Sequence, residues 1–336
     1  MTNRLFARAA LAAALVVVSA SGARAQSSDT IGVRAQGMAG AFTAIADDAT
    51  ASWWNPAGIA TGAYFSSVVE SSRTHQPKSE NAIPAWDNLS RGFAVGFPAL
   101  AISYYHFEVS EIQPVGPIAS GPDGRQDEGS PDIRLRSLVM SQFGATVGQS
   151  LGTHLVVAST LKLMRASVVT AVRPAAGASV DMAKDLEGPT DTEFGLDIGA
   201  MAKFGGLRAG LMVRNVEEPS FGNGVQEVTL DRQFRAGVAY SSASSLTTVA
   251  ADFDLTTIVL PTGEERRFAA GFEGWSRSHR VGLRGGVSVN TAGPALLSAS
   301  GGASFAIRSR TFIDAFGTTG ADETRQGWGV GIRVTF

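Results

Sequence analysis

The chain has 336 residues, of which 44% are hydrophobic and only 17% charged, with 39 glycines, no cysteine and a formal net charge of −2. The missing cysteine excludes disulfides, thiol catalysis and zinc–thiolate sites, and the charge balance offers no basic excess for nucleic acid. Low charge with this much glycine suits short alternating strands and tight turns, not a helical enzyme.

Arg4 and Arg8 precede an apolar run, Ala9–Ala20, and then Ala23-Arg24-Ala25. This is the pattern of a secretory signal peptide over 1–25, with cleavage expected near Ala25/Gln26; the apolar part is too short to span a bilayer. No cysteine follows it, so no lipoprotein anchor is expected. Beyond it no apolar run reaches the roughly 18 residues of a transmembrane helix.

Residues 26–59 read differently from everything after them. Met38, Ala41, Phe42 and Ile45 recur at helical spacing and predict a short helix. Asp47 and Asp48 offer caps for a second turn through Ala49–Trp54. Asn55-Pro56-Ala57-Gly58 is a stop, because proline lacks the N–H that a helix or central ladder needs. We expect this apolar, partly helical segment to sit as a hatch inside a barrel built from 60–336.

From Ala60 on, segments of about ten residues alternate apolar with small or polar. In Gln326–Phe336, Trp328, Val330, Ile332, Val334 and Phe336 share one face, while Arg333 and Thr335 lie on the other. Thr192–Lys203, Leu246–Val259 and Val281–Asn290 repeat the pattern. Fourteen strands are predicted, at about 60–70, 91–97, 99–109, 133–148, 152–169, 191–203, 206–216, 231–241, 245–258, 264–275, 278–290, 294–306, 309–317 and 326–336. Tight turns alternate with long connections at Ser71–Ser90, Ser110–Asp132, Ala171–Thr190 and Glu217–Leu230. A soluble sandwich also shows period-two strands. Strands longer than ten residues, the loop rhythm and an aromatic last residue, Phe336, point instead to an outer-membrane barrel and its C-terminal assembly signal. The expected fold is all-β: a fourteen-stranded antiparallel transmembrane β-barrel with a short, partly helical N-terminal hatch in its lumen.

GVRAQGMAGAFTAIADDATASWWNPAGIA (Gly32–Ala60) joins a Gly-rich segment, an Ala/Asp stretch and an Asn-Pro-Ala-Gly turn. With LMVRNVEEPSFG (Leu211–Gly222) and VAADFDLT (Val249–Thr256), it resembles the FadL/TodX superfamily of hatch-plugged outer-membrane barrels, nearest a PorV-like or TraF-like subgroup. The resemblance implies the outer membrane of a Gram-negative bacterium and passive, hatch-gated transport of hydrophobic small molecules, of the long-chain fatty acid or aromatic hydrocarbon type. The alternative it carries is a second role, as a non-transporting scaffold or accessory protein of a secretion or conjugation-type system acting through extracellular loops. The partners implied are a hydrophobic ligand, outer-membrane lipid, the barrel-assembly machinery and, for the second role, a secreted or surface protein. No cofactor or metal is expected.

The candidate residues follow. Asn55 and Pro56 either fix the hatch as a gate or end a helix and aim the chain into the first strand. Trp53 and Trp54 either line a hydrophobic path or wedge the hatch against the wall. Asp47 and Asp48 serve as caps or as partners of lumen arginines. Lys162, Glu193, Asp197, Arg208, Arg214, Arg235, Asp252, Asp254, Arg284 and Arg333 face the lumen with both signs present. In a narrow plugged lumen unpaired charge is costly, so cross-strand pairing is preferred to an ion-selective lining. Arg214 or Arg235 is also a candidate to hold a ligand carboxylate bidentately. His75, His106, His154 and His279 share no motif with a nucleophile, and neither HExxH nor GxSxG occurs, so no enzyme is expected. Asp123, Asp127 and Glu128 lie in a segment, Ile112–Pro131, read as a solvated loop in preference to a cation site.

Overall fold

A computed structural model of the chain describes residues 30–75, 85–115, 132–175, 179–260, 263–322 and 325–336. The expected signal peptide and the segment carrying Asp123, Asp127 and Glu128 lie outside the described residues.

The barrel is a single closed antiparallel sheet in which each strand pairs with its sequence neighbours and the first pairs with the last. Its strands are β1 (Ser66–His75), β2 (Ala85–Phe97), β3 (Leu100–Pro114), β4 (Asp132–Leu151), β5 (Leu155–Pro174), β6 (Thr190–Phe204) and β7 (Leu207–Arg214). There follow β8 (Gln233–Ser241), β9 (Thr247–Asp254), β10 (Arg267–Trp275), β11 (Val281–Asn290), β12 (Leu297–Arg308), β13 (Thr311–Gly320) and β14 (Gly327–Thr335). Closure leaves no unpaired sheet edge, which a strand protein in hydrocarbon cannot tolerate.

Alternation along each strand sets inside and outside. In β14 the side chains of Val330 and Ile332 are 46% and 51% exposed on the outer face, while Arg333 between β14 and the lumen is 6% exposed. Phe97, Leu100, Ile102, Phe143, Leu161, Phe194, Leu211, Val249, Phe272, Leu283 and Ile313 continue this apolar exterior round the barrel. An apolar band of that extent is built to face lipid. Tight turns at 98–99, 152–154 and 205–206 share one end with the start of β1 and the end of β14; the longer connections, 215–232 among them, share the other.

The wall is uneven in height. β4 and β5 have 20 residues each, β7 and β9 only 8. About ten tilted residues cross a bilayer, so β3–β5 rise above it at the loop end. There a helical turn from the following connection, Val180–Lys184, lays Ala183 on Ile112, Ile133 and Leu135. Lys184 reaches Asp87 at 2.7 Å, and Asp87 also pairs with Arg73 at 2.6 Å.

Two expectations shift. The first strand begins at Ser66, not near residue 60, because Pro56–Ala60 form a 3-10 turn and the chain must then cross to the wall. The helix expected over Met38–Ile45 is not formed; short helical turns stand instead at α1 (Val33–Gln36) and α2 (Ala51–Trp54). Ala39, Gly40 and Ala46 take positive φ of 56°, 83° and 25°, which ends any helix between them. The apolar side chains of this stretch are buried on every side by the surrounding wall, so their spacing follows the lumen and not a helix face.

Candidate functional site

The segment from Thr30 to Ile59 lies inside the barrel and is almost wholly buried. Wall carboxylates hold its backbone at two places. The Glu70 carboxylate accepts the N–H groups of Gly32 and Val33 at 2.6 and 2.9 Å, meeting the unpaired donors at the start of α1. The Asp252 carboxylate accepts those of Phe42 and Thr43 at 2.9 and 2.8 Å. Asn55 is fully buried: its amide donates to the Thr43 and Ala200 carbonyls at 2.9 and 3.2 Å, and its Oδ1 accepts the Ala57 N–H at 3.1 Å. It thereby caps the 3-10 turn that Pro56 opens and ties the plug to β6. Asp48 accepts the Thr50 N–H at 2.9 Å.

Alternating charges run from the plug into the wall. Arg34 pairs with Asp47 and donates to Glu273 through Nε at 2.7 Å and Nη2 at 2.5 Å. Arg284 donates to Glu273 at 2.7 Å and to Asp314 at 3.1 Å, and Arg333 reaches Asp314 at 3.0 Å. Arg208 approaches Asp47 at 3.6 Å and donates to the Ile45 carbonyl at 3.2 Å. Burial opposes charge on Asp47, but Arg34 and Arg208 outweigh it and hold its carboxyl below the usual range. Burial likewise lowers Arg34, yet Asp47 and Glu273 raise it well above the ordinary value, so it stays cationic. Elsewhere in the lumen Lys162 pairs with Asp197 at 2.7 Å and Arg235 with Asp254 at 2.5 Å. Glu193 stands exposed near the loop end of β6.

The two tryptophans part company. Trp54 turns into the plug, its Nε1 donating to the Ile31 carbonyl at 3.1 Å and its ring edge-on to Phe42. Trp53 turns to the wall and packs on Tyr105 and Phe107 at 5.6 and 5.4 Å. Arg214 covers its other face at 4.3 Å while donating to its carbonyl at 2.9 Å. Above Trp53, toward the loop end, inward side chains of β3, β4 and β5 form apolar rungs: Phe107–Met140–Ala166, then Val109–Leu138–Val168. Phe221, Val228 and Leu230, from the connection between β7 and β8, join the same buried cluster. A column of apolar side chains thus runs from the loop end down to the plug.

At the turn end the lumen opens into a cavity of about 730 Å³ bordered by Arg34, Asp47, Arg208, Glu273, Trp275 and Phe312. Between cavity and column the wall is shaped to the plug by glycines. A Cβ at Gly199 would lie 2.1 Å from Asn55 Oδ1, at Gly210 2.5 Å from the Thr43 carbonyl oxygen, and at Gly286 2.5 Å from the Met38 carbonyl carbon. These inward glycines, with Glu70, Glu273 and Asp314, are the contacts that reasoning on the sequence missed. Isolated inward acids in small-residue strands were the available signal, since each requires a partner. Phe336 lies at the turn end, its N–H donating to the Phe65 carbonyl at 2.9 Å and its ring exposed. His106 contacts Ser141 at 3.0 Å on the outer face. Among the described residues no three His, Asp or Glu side chains converge as a metal site.

The sequence matches the family described as F plasmid transfer operon, TraF, protein over residues 24–254. No curated protein sequence matches the chain. Among solved structures, the barrel is similar to the CymD monoaromatic hydrocarbon channel, with a TM-score of 0.62 at 13% identity, covering 91% of this chain and 98% of that one. The toluene transporter TbuX of Ralstonia pickettii gives 0.62 at 12%, covering 92% and 99%. A Pseudomonas aeruginosa FadL homologue gives 0.57 at 10%, covering 92% and 98%. At these identities the likeness is one of fold, the fourteen-stranded barrel of the FadL/TodX kind.

Proposed function

This chain belongs to the F plasmid transfer operon TraF protein family, and we propose that it is a passive outer-membrane route for hydrophobic small molecules, gated by its N-terminal plug. The observation that carries the reading is the apolar column of β3–β5 ending on Trp53. A greased path flanked by polar groups lowers the barrier for a solute that polar surface layers exclude. In the closed arrangement the column is filled by its own side chains, and the charge chain about Arg34 holds the plug across the exit. Ligand entering at the loop end displaces the column, loosens Trp53 and leaves past the plug into the turn-end cavity. Trp53 and Asn55 act as the moving and the fixed ends of that gate. Arg214 serves Trp53 in this reading, and Arg235, covering Trp54 at 5.3 Å, serves the plug; neither is a carboxylate site. Cleavage near Ala25 and recognition of Phe336 by the assembly machinery belong to the same reading.

The tall wall of β3–β5, with its covering helical turn, favours a second reading as an accessory protein that binds a surface or secreted partner. Uptake of a labelled long-chain fatty acid and of an alkyl aromatic decides between them. The cells lack their own transporter, and insertion of the barrel is verified in parallel. Saturable uptake that changes with Asn55→Ala supports transport. No uptake from a correctly inserted barrel overturns it, and a stoichiometric co-purifying protein then supports the second role.

A further inference from the structure

Above the top rung of the apolar column the inner face of the wall turns polar. One rung above Val109–Leu138–Val168 stands Glu111–Arg136–Thr170, with Trp86 opposite Glu111 on β2. Asn88 lies opposite Val109, and Thr74 lies opposite Asn88 on β1. Register and side-chain alternation put Thr74, Trp86, Asn88 and Glu111 on the inner face of three adjacent strands, within one or two residue steps of one another. Opposed side chains in such a sheet lie about 5 Å apart. Thr74 and Trp86 are 7% and 9% exposed. Among the described residues, Thr74 Oγ1, Trp86 Nε1, Asn88 Oδ1 and Glu111 Oε2 are all buried without a hydrogen-bond partner. One buried orphan is common enough, but several on one patch mark a place where polar groups meet something from outside the fold.

We propose that this patch receives the hydroxyl head of an amphiphilic ligand whose apolar body occupies the column beneath it. The inference rests on the transport reading and narrows its substrate class. The orphans are complementary to a hydroxyl: Trp86 Nε1 is only a donor, Asn88 Oδ1 and the Glu111 carboxylate are acceptors, and Thr74 is either. An alcohol or phenol accepts from Trp86 while donating to Asn88 or Glu111, satisfying both sides at once. A plain hydrocarbon leaves all of them unmet. A carboxylate head brings negative charge against Glu111, and Arg136, set opposite Glu111, is already its counter-charge. Sites built to hydrogen-bond a hydroxyl discriminate strongly against analogues lacking it, because their own buried groups are then left unpaired.

The test uses the full mature protein in lipid nanodiscs and three size-matched probes: 4-butylphenol, butylbenzene and 4-butylbenzoate. The expected order has 4-butylphenol about tenfold tighter than butylbenzene, the effect of one to two well-placed hydrogen bonds, with 4-butylbenzoate weakest. Trp86→Phe keeps the ring and removes the donor, so it is expected to erase the phenol's advantage and leave butylbenzene unchanged. Thr74→Val gives the same readout should the tryptophan variant assemble poorly. Equal affinity for phenol and hydrocarbon, or an equal loss of both in Trp86→Phe, overturns the hydroxyl site and leaves the transport reading standing. Tightest binding of the benzoate overturns it in favour of an anionic head. Failure of all three to bind the assembled barrel removes the apolar column as a ligand site, and both readings with it.

Discussion

Glu273→Gln tests whether the charge chain holds the plug. Glu273 is 2% exposed and takes two guanidinium contacts from Arg34, through Nε and Nη2, together with one from Arg284. Glutamine keeps the length and one acceptor but places an amide donor against a guanidinium and removes the charge. Breaking a buried pair costs about 3–5 kcal/mol when a cation is left uncompensated. Here Arg34 keeps Asp47 and Asp48, and Arg284 keeps Asp314, so roughly 2–4 kcal/mol is the expected loss. Every 1.4 kcal/mol is about tenfold in a population; the displaced-plug state should therefore rise on the order of 100-fold. Planar-bilayer recording reads this directly, as more frequent openings to a water-filled conductance. The heat-modifiable, assembled fraction should remain that of the wild type, since the ladder bonds of β10 are untouched. Normal assembly with opening frequency within about twofold of wild type would refute the idea that this chain latches the plug.

Gly286→Ala places a methyl where Met38 backbone already stands; the barrel should still close, with the plug displaced and newly open to limited proteolysis, and a protected plug would contradict the close fit. Acid is predicted to loosen the plug late. The folded Asp47 carboxyl lies below its ordinary value of 3.8, so its contribution is complete above that pH and is lost only as the pH falls through the folded value. Because Arg34 stays charged throughout, the difference in proteolytic protection between wild type and Asp47→Asn should be flat from about pH 9 to 5; a difference with its midpoint near neutrality would contradict the assignment of this contribution to the Arg34–Asp47 pair. Deleting Phe336 removes the N–H bond to Phe65 and the terminal ring, and should lower the assembled fraction in outer membranes; unchanged assembly would deprive that residue of its role as a signal.

The strands were readable because lipid on one side and a polar lumen on the other impose a period of two, as in β14 and β11. Where both faces are apolar the signal fails. Leu138, Val139 and Met140 follow one another in β4, with Val139 outward and its neighbours in the column, so the pattern could not separate the lipid face from the inward apolar column. The plug misled for a related reason: a segment enclosed on all sides shows no preferred face, and Met38, Phe42 and Ile45 mimic a helical stripe without forming one. Asn55, Trp53 and the inward arginines were visible as residue types, whereas Glu273 and Asp314, which pair with Arg34, Arg284 and Arg333, and Glu70, which holds the plug backbone, depend on register between distant strands, which no local pattern carries.

The charge chain also orders events in time. Arg34 lies 239 residues before Glu273, and the plug backbone at Phe42 lies 210 residues before Asp252. A chain delivered N-terminus first therefore holds its plug long before most of the groups that fix it exist. Ser66, Glu70 and Ser72, on β1, are close enough in sequence to keep it in place meanwhile. Contacts of such span form late because loop closure precedes any gain from them. The earliest segment made is the last secured, and a plug locked in position is itself the record that the C-terminal strands have arrived and the circle has closed.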